Sequence, residues 1–448
     1  MAKNKAVSLT EGNIRKLIFS FSWPVFVSMI FSELYNVTNS MIVGNYVSLT
    51  ALSAVSACTW ICNVFNYSFY GLGMGAGILV AGYYGAKDHD NLKKSLDSSL
   101  VFSVVGGSIL TVIAELALPF LLKVINIGPD IYADAFAYMR VYILGSVAVL
   151  TSQMCFFILR SFGDTKHQLY YSIISSIVNI LLGMLFVRVL NLNVIGTALA
   201  TLISQVVMDV LALRLMLNYE GVDFDIRHLD FSFRVIGEIC ELGIPAGIQN
   251  MLIAFSSMLV QSYVNRFPNE VIAGIGVGEK TVSWCQLVSV AVSSATMSLV
   301  AQNMGAGRND RAKEAIRESA LISGIGTIIM IVIIYTAAPF LVSRFNSDPE
   351  VLHYGTSMIR WAVGAMFFIN LSHIYNGACR GAGNVKIPMI IAITGQVICK
   401  DLFVSLGLQI FYDVHILYLA TAFGYLMAGT MATLYFYCSK WSRQNGLR

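Results

Sequence analysis

The stretch QNMGAGRNDRAK, Gln302 to Lys313, has a counterpart much earlier in the chain: GYYGAKDHDNLKK, from Gly82 to Lys94. Gly305 and Gly85 are 220 residues apart, and the same offset continues to align similar residues further along. It pairs Pro339-Phe340-Leu341 with Pro119-Phe120-Leu121, Pro349 with Pro129, Arg360 with Arg140, Arg380 with Arg160, Gly383 with Gly163 and Lys386 with Lys166. A register that holds this far without a gap indicates that the chain contains two copies of one unit.

The composition places these copies in a membrane. Of the 448 residues, 56% are hydrophobic and 12% are charged, and the mean hydropathy is +0.70. Soluble proteins carry about 25% charged residues, so this chain could not cover itself with polar surface in water. The net charge of +4 is small and gives no reason to expect a nucleic-acid partner. The eight cysteines lie in or beside apolar segments, and we expect neither disulfides nor a metal site.

Apolar segments of about 20 to 30 residues are long enough to cross a bilayer as helices. We predict twelve such spans, six in each copy, at residues 14–44, 52–82, 95–122, 131–158, 168–190, 194–218, 236–266, 271–303, 315–343, 352–378, 387–411 and 415–438. An even number of spans gives both copies the same orientation, as in parallel repeats related by an axis along the membrane normal. The predicted fold is an all-α membrane protein with two six-helix lobes related by pseudo-two-fold symmetry.

The most polar connector, NYEGVDFDIRHLDFSFR, falls between the copies. We therefore predict an N-terminal lobe at 1–217, a cytoplasmic linker at 218–235 and a C-terminal lobe with a short cytoplasmic tail at 236–448. One set of connectors, together with both termini, holds 21 of the 29 Lys and Arg residues. Because cytoplasmic loops are enriched in these cations, we predict that both termini are cytoplasmic in a cell membrane.

Two glycine-rich stretches have structural interpretations. In GAGRND, a glycine just past the helix end closes that helix, and Asn309 or Asp310 is expected to cap the next one. GLGMGAG, from Gly71 to Gly77, lies inside a span and lacks the strand–turn–helix setting of a nucleotide site. Its Gly73-x-x-x-Gly77 spacing predicts close helix packing. The chain has no GxxxxGK[ST] motif, so we expect no use of ATP.

Several longer stretches resemble the multidrug and toxic compound extrusion (MATE) family of transporters. They are FSWPVFVSMIFSELYNVTNSMIVGNYV at 21–47, FILRSFGDTK at 157–166, LGIPAGIQNMLIAFSSMLVQS at 242–262, AQNMGAG at 301–307 and CRGAGNVKIPM at 379–389. The resemblance implies two six-helix lobes with a central cavity that opens alternately to each side. It also implies export of organic, often cationic compounds driven by inward Na⁺ or H⁺, with no other cofactor.

The first span departs from the family pattern at one position. Many members carry an aspartate there that is linked to cation coupling, whereas this chain has Asn39 in NVTNSMIVG. An amide can offer its carbonyl oxygen to an ion but cannot release a proton. The family's proton switch in this lobe therefore does not transfer directly.

Glu33, Asn36 and Asn39 form our candidate site for the coupling ion. They follow one another at steps of three on one stripe of a helix. Their oxygens could bind Na⁺, or Glu33 could share a proton between the two exposed states. The alternative is that Glu33 is hydrogen-bonded to neighbouring helices and never titrates.

A second group of charges occurs only in the second copy: Glu279, Lys280, Lys400 and Asp401. Because buried charges are normally paired, we expect an ion pair between helices, such as Lys280 with Asp401, in a structural or gating role. A carboxylate left without a partner would be a second candidate for ion coupling.

Polar side chains inside the spans are candidates for lining a substrate cavity. They are Tyr35, Asn63, Asn66, Gln153, Asn179, Gln205, Gln249, Asn250, Gln261 and His373. Amides suit a cavity that binds varied ligands, and aromatic and methionine side chains would contact flat cations. Alternatively, many of these amides connect helices to one another, and His373 is a hydrogen-bonded packing residue rather than a proton carrier.

These observations leave three classes of function to compare. The first is a cation-coupled antiporter that exports amphipathic, often cationic organic compounds. The second is a flippase for a lipid-linked saccharide, which should need cavity cations to bind phosphate. The third is a membrane enzyme or receptor, and for this class we find no nucleophile–base pair, metal cluster or soluble sensory domain. We predict the antiporter and not an enzyme.

Overall fold

The protein is described by a computed structural model covering residues 7–46, 49–125, 127–219, 229–346 and 348–439. For residues 35–37, 39–46, 49 and 52 the description is of the backbone alone. The α-helices are α1 Ile14–Tyr46, α2 Leu49–Ala86, α3 His89–Val101, α4 Gly107–Val124, α5 Pro129–Leu144, α6 Ser146–Ser161, α7 Thr165–Met184, α8 Asn193–Met216, α9 Phe233–Val264, α10 Asn269–Gly305, α11 Asn309–Ser343, α12 Pro349–Val363, α13 Met366–Gly381, α14 Lys386–Ile393, α15 Lys400–Ile410 and α16 His415–Cys438.

These helices confirm the predicted all-α fold, and each of the twelve predicted spans coincides with one helix or with two consecutive helices. Short π-helical turns continue α3 into α4, at Phe102–Gly106, and α14 into α15, at Thr394–Cys399. α5 and α6 meet at Gly145 with a bend of 46°. Within the described ranges, ten helices are long and apolar enough to cross a membrane, and the α5–α6 pair adds another. The predicted span at 352–378 corresponds to α12 and α13, which are more polar.

The chain divides into two compact units whose boundaries fall inside helices. Unit 1 consists of Met1–Ser8 and Val27–Gly247, and unit 2 of Leu9–Phe26 and Ile248–Arg448. The boundaries inside α1 and α9 each lie just after a proline within the helix, Pro24 and Pro245. The predicted division at 218–235 stays a prediction, and residues 220–228 of that linker lie outside the described ones.

In unit 1, alternate glycines of α2 bring this helix close to two others. A Cβ on Gly73 would lie 2.8 Å from the carbonyl oxygen of Gln153 in α6, so the predicted close packing through this glycine is confirmed. Gly75 points in another direction, where a Cβ would lie 2.4 Å from the carbonyl oxygen of Ile239 in α9. Without side chains at these positions the backbones can approach, which is how helices commonly associate in lipid.

The start of unit 2 explains the amides of the QNMGAGRND stretch. The backbone N–H of Leu9 donates to Oε1 of Gln302 at 2.9 Å, and Nδ2 of Asn303 donates to the Leu9 carbonyl at 3.2 Å. Arg308 donates to the carbonyl of Thr10 at 2.7 Å. This part of the stretch therefore holds the segment that leads into α1, in addition to joining α10 to α11.

The turn itself partly follows the prediction. Gly307 has φ of +70°, so a glycine past the end of α10 does adopt the left-handed conformation. The predicted cap is wrong: Asn309 and Asp310 both lie inside the first turn of α11, whose N-cap is Arg308. In the first copy the corresponding turn has a side-chain cap, because Asp88 precedes α3 and accepts from the N–H of Asn91. The two copies therefore start the corresponding helix differently.

Candidate binding cavity

Six helices of unit 1, α1, α2, α5, α6, α7 and α8, line a cavity of about 540 Å³. α2, α5 and α6 each contribute polar groups to it, among them Asn63, Tyr138 and Gln153. α7 and α8 contribute a further wall, with Ser175 and Gln205. These groups recur at three- and four-residue steps along their helices, which is the spacing that places side chains on one helix face.

The lining of the cavity is polar but carries no formal charge. Fourteen of its nineteen lining residues have a hydroxyl or an amide, and none of the nineteen is Asp, Glu, Lys or Arg. The remainder includes Val55, Phe156 and Met208. Such a surface offers donors, acceptors and apolar contact without committing to one ligand geometry, and its volume lies within the usual range for small-molecule sites.

The carboxyl group of Asp209 does not line the cavity but is hydrogen-bonded to a hydroxyl that does. Ser152 of α6, a lining residue, forms a short hydrogen bond through Oγ to Oδ1 of Asp209 in α8. The same Oγ lies 3.1 Å from Oε1 of Gln205, which also lines the cavity. Asp209 is only 7% exposed, and no Lys or Arg among the described residues is within ion-pair distance of it. The residues that line the cavity are therefore uncharged, but one of them, Ser152, is hydrogen-bonded to Asp209 outside the lining.

The structure brings together part of the predicted cavity set. Asn63, Asn66, Gln153 and Gln205 all line the cavity. Asn179 is buried behind it and donates from Nδ2 to Oγ1 of Thr201 at 3.3 Å. Their role as substrate-binding residues stays a prediction.

The predicted residues of unit 2 have other surroundings. Gln249 is buried and accepts a 2.7 Å hydrogen bond from Nη2 of Arg380. Gln261 donates to Asn265, just past the end of its own helix, at 2.8 Å. Asn250 is partly buried, and His373 is partly buried in α13, where its backbone carbonyl accepts a 2.6 Å hydrogen bond from Ser293. For Gln249, which is bonded from α9 to α13, the alternative of amides connecting helices fits this contact, whereas the contact of Gln261 is local.

The coupling-ion candidates are only partly described. Glu33 is exposed on α1 and does not line the unit 1 cavity, although the preceding Ser32 does. The side chains of Tyr35, Asn36 and Asn39 lie outside the described part of the structure. The proposed grouping of Glu33 with the two asparagines therefore stays a prediction.

The charged group of unit 2 is arranged differently from the expected pairing. The predicted ion pair between Lys280 and Asp401 is not formed. Asp401 instead accepts a 2.7 Å hydrogen bond from Ser256, and Lys400 interacts electrostatically with both Asp401 and Glu279. The relative rotation of α10 and α15 decides which of two adjacent charges faces the other helix, and sequence spacing does not specify that rotation.

Comparison with known proteins identifies the family. The MatE family model matches residues 24–185 and 245–400, one block in each copy. The chain belongs to the MATE family. Its relatives include the probable multidrug resistance protein YoeA of Bacillus subtilis (strain 168), which is 26% identical over 383 residues, covering 83% of this chain and 82% of YoeA. The multidrug export protein MepA of Staphylococcus aureus (strain MSSA476) is 24% identical over 399 residues, covering 87% of this chain and 86% of MepA.

Solved structures share the fold of this MATE chain along its whole length. A crystal structure of MATE in complex with MaL6 has a TM-score of 0.91 at 20% identity and covers 99% of this chain and 98% of its own. An outward-facing multidrug resistance MATE family transporter of the MOP superfamily also has a TM-score of 0.91 at 20% identity, covering 100% and 99%. At this level of identity the likeness shows the fold alone.

Asp209 is the functional candidate of this MATE chain that sequence reasoning missed. It is an isolated acid in the apolar run VVMDVLAL, at a position whose counterpart in the second copy is Gly429. An ionisable group inside a membrane span is by default a candidate for function, and this rule alone would have selected it. Its partner Ser152 lies 57 residues earlier, so no local motif links them.

Proposed function

We propose that this protein is a multidrug exporter that works as a cation-coupled antiporter, moving amphipathic, often cationic organic compounds out of the cell in exchange for Na⁺ or H⁺. The observation that carries the proposal is the cavity of about 540 Å³ lined by hydroxyls, amides and a few apolar side chains. A cavity without fixed charges accepts ligands of varied shape, since no single contact must be satisfied.

The relatives support export as the direction of transport. MepA is a multidrug export protein, and YoeA is a probable multidrug resistance protein. Both align with more than four fifths of this chain, so the similarity is not confined to one copy. Membership in a transporter family also supports a transport role rather than an enzymatic one.

In this proposal the coupling ion binds near Glu33, Asn36 and Asn39 when the protein is open to the outside. Ion and drug each shift the equilibrium between the two open states only through their different affinities for those states. Competition between the two ligands then links inward movement of the ion to outward movement of the drug. We place the protein in the cell membrane with both termini in the cytoplasm.

The flippase alternative has less support from the lining. A lipid-linked saccharide carries phosphate groups, which proteins commonly bind with Arg or Lys. Among the residues that line the described cavity there is no cation. A site for phosphate would have to be built from other residues than these.

The test is efflux of a fluorescent cationic dye from proteoliposomes, with Na⁺ and pH gradients imposed separately. We expect dye movement under one of the gradients and none without a gradient. Binding of the dye without movement under either gradient would overturn antiport. Movement of a lipid-linked saccharide in place of the dye would favour the flippase.

A matched pair of variants tests the role of Glu33. Glu33→Gln should abolish gradient-driven efflux while leaving the folded protein intact, because the amide can neither ionise nor release a proton. Glu115→Gln is the control, since Glu115 lies in another span and contacts Arg140 at 3.4 Å. Normal coupling in Glu33→Gln would remove Glu33 from the mechanism.

A further inference from the structure

Asp209, Ser152 and Gln205 form a small hydrogen-bonded group at the wall of the cavity. Gln205 and Asp209 are four residues apart on α8 and therefore share a face of that helix. Ser152 reaches both of them from α6, with Oγ hydrogen-bonded to Oδ1 of Asp209 and 3.1 Å from Oε1 of Gln205. Asp209 is 7% exposed and Ser152 is 4% exposed, so both side chains are largely shielded from solvent.

The hydrogen atoms of this group can be counted. A serine hydroxyl has one hydrogen to donate, whereas a carboxylate oxygen and an amide oxygen are both acceptors. When the amide oxygen of Gln205 faces Ser152, it accepts the one hydrogen bond that the serine hydroxyl can donate. The hydrogen bond between Ser152 and Asp209 must then be donated by Asp209, whose carboxyl group is protonated in this arrangement. If Asp209 is ionised, Ser152 donates to it instead, and Gln205 must turn its NH₂ group toward the hydroxyl. The direction of the chain of hydrogen bonds thus depends on one proton.

The surroundings of Asp209 determine how costly it is for this residue to lose the proton. A buried ionised carboxylate without a cationic partner is costly. From α6 the neighbouring titratable group is the thiol of Cys155, which is buried. The titratable groups that face the cavity from the other helices are Cys62 on α2 and Tyr138 and Tyr142 on α5, all neutral in their usual forms near pH 7. None of these groups compensates a negative charge on Asp209, whereas a cationic ligand in the cavity would.

The second copy shows that the acid is not required by the repeat. At the 220-residue offset Ser152 corresponds to Ser372, and Asp209 corresponds to Gly429. A Cβ on Gly429 would lie 2.2 Å from the carbonyl oxygen of Phe368, so this position has no room for a side chain. At the equivalent position of the first copy there is room for a side chain, and that side chain is the carboxyl group of Asp209.

We propose that Asp209 is a proton-binding site of the unit 1 cavity, coupled through Ser152 to the orientation of the Gln205 amide. A cationic substrate favours the ionised form, in which the proton has left Asp209 for the solvent and the amide presents its oxygen to the cavity. Uptake of a proton neutralises the carboxyl group, reverses the hydrogen bonds and weakens cation binding. This inference rests on the proposed function, and it names Asp209 as a residue through which protons weaken the binding of cationic drugs, separate from the coupling-ion site near Glu33.

The test uses the full-length protein in nanodiscs, with ethidium as the cationic probe and no ion gradient. Wild-type affinity for ethidium should rise with pH, by up to about tenfold per pH unit, because binding releases one proton. Asp209→Asn should bind ethidium with an affinity that does not change with pH. Glu115→Gln, a carboxyl-to-amide change in the same unit, should keep the wild-type pH dependence.

A second readout requires no ligand. Infrared difference spectra recorded across a pH step should show the carbonyl band of a protonated carboxyl group in the wild type and lose it in Asp209→Asn. In Ser152→Ala this band should shift because the hydroxyl partner is gone. The Ser152 variant therefore keeps the proposal testable even if the Asp209 variant fails to fold.

The outcomes separate this proposal from the transport function. Dye efflux with wild-type pH dependence of ethidium binding in Asp209→Asn would overturn the role of Asp209 and leave the exporter intact. Ethidium binding by the wild type that does not change with pH would also overturn the role of Asp209. If the wild type neither binds nor moves dye, the exporter fails, and the infrared band still decides whether Asp209 exchanges a proton.

Discussion

The side-chain oxygen Oε1 of Gln302 accepts a hydrogen bond of 2.9 Å from the backbone N–H of Leu9, a residue 293 positions earlier in the chain. The neighbouring Asn303 donates to the carbonyl of the same Leu9, so the two amides bind both polar groups of one backbone residue. All of these groups are buried, and leaving a buried polar group without a partner costs about 1–3 kcal/mol. Within unit 2, the QN pair therefore attaches the segment that leads into α1 to the end of α10.

Loss of this attachment should make the leading segment accessible. We expect the double variant Gln302→Ala, Asn303→Ala to be cleaved by trypsin after Arg15 or Lys16 at least about tenfold faster than the wild type, because local opening becomes less costly. Asn309→Ala is a control in the same stretch, at an exposed position. Equal cleavage rates in both variants would show that the hydrogen bonds to Leu9 do not hold the segment.

The contact of Gly75 with α9 should not tolerate even one methyl group. Gly75→Ala places a Cβ 2.4 Å from one backbone atom of α9 and 2.8 Å from another, and backbone cannot move aside as a side-chain tip can. We expect destabilisation of about 1–3 kcal/mol, visible as a lower Tm in detergent. Gly82→Ala lies in the same helix with no heavy atom within 4 Å of its Cβ, and it should be neutral or slightly stabilising. Similar Tm values for the two variants would contradict the close packing.

Asp164 connects the loop after α6 to the end of α8. Its carboxylate caps α7 by accepting from the N–H of His167 at 3.1 Å, and it accepts a short hydrogen bond from the buried Tyr219. Asp164→Ala removes both interactions, and we expect a loss of about 1–3 kcal/mol in thermal or denaturant unfolding.

The second copy supplies the control for this prediction. Asn384, at the 220-residue offset from Asp164, donates to Oη of Tyr435 at 3.1 Å and accepts from the N–H of Ile387 at 3.4 Å. Since an asparagine serves both purposes there, Asp164→Asn should retain most of the stability. A loss as large as that of the alanine variant would mean that the negative charge, rather than the hydrogen bonds, is what unit 1 needs.

The cap of α3 should give a pH-dependent contribution to stability. Hydrogen bonds from the side chain and then the backbone N–H of Asn91 lower the pKa of Asp88 below its usual value of 3.8. The folded state therefore favours the ionised form, and its stabilising contribution is present above the usual pKa and is lost as the pH falls through the lowered one. Asp88→Ala should lower the Tm at about pH 7, and the difference should shrink as the pH falls below the usual pKa of 3.8 and through the lowered one.

Asp88→Asn separates the cap from its charge. Asparagine caps helices about as well as aspartate and does not titrate. We expect a Tm close to wild type near pH 7 and no pH-dependent contribution from this position. A wild-type pH profile in the asparagine variant would assign the dependence to another group.

Much of the architecture could be predicted from the sequence because it depends on length and repetition. Apolar length placed the helices, and the 220-residue offset showed which ones correspond. The amides Asn63, Asn66, Gln153 and Gln205 were found for a similar reason, since amides within membrane spans are few and need partners or a cavity.

The contacts between helices could not be predicted in this way. Whether Glu279 or Lys280 of α10 faces the charges of α15 depends on the rotation of each helix about its axis, which apolar spans leave undetermined. Ser152 and Asp209 likewise lie on different helices, and neither belongs to a local motif. Side-chain partners at long sequence separation become visible only once the helices are packed.

The division of α1 and α9 between the units has a consequence for biosynthesis. Leu9–Phe26 leave the ribosome long before Ile248–Arg448, the rest of the unit to which they belong. At about 5–20 residues per second, Gln302 follows Leu9 by roughly 15–60 s. During that interval the leading half of α1 has no completed unit to join and must wait in the translocon or the bilayer. Expressing the two copies as separate polypeptides cut at the linker would leave each unit without a segment that only the other polypeptide carries.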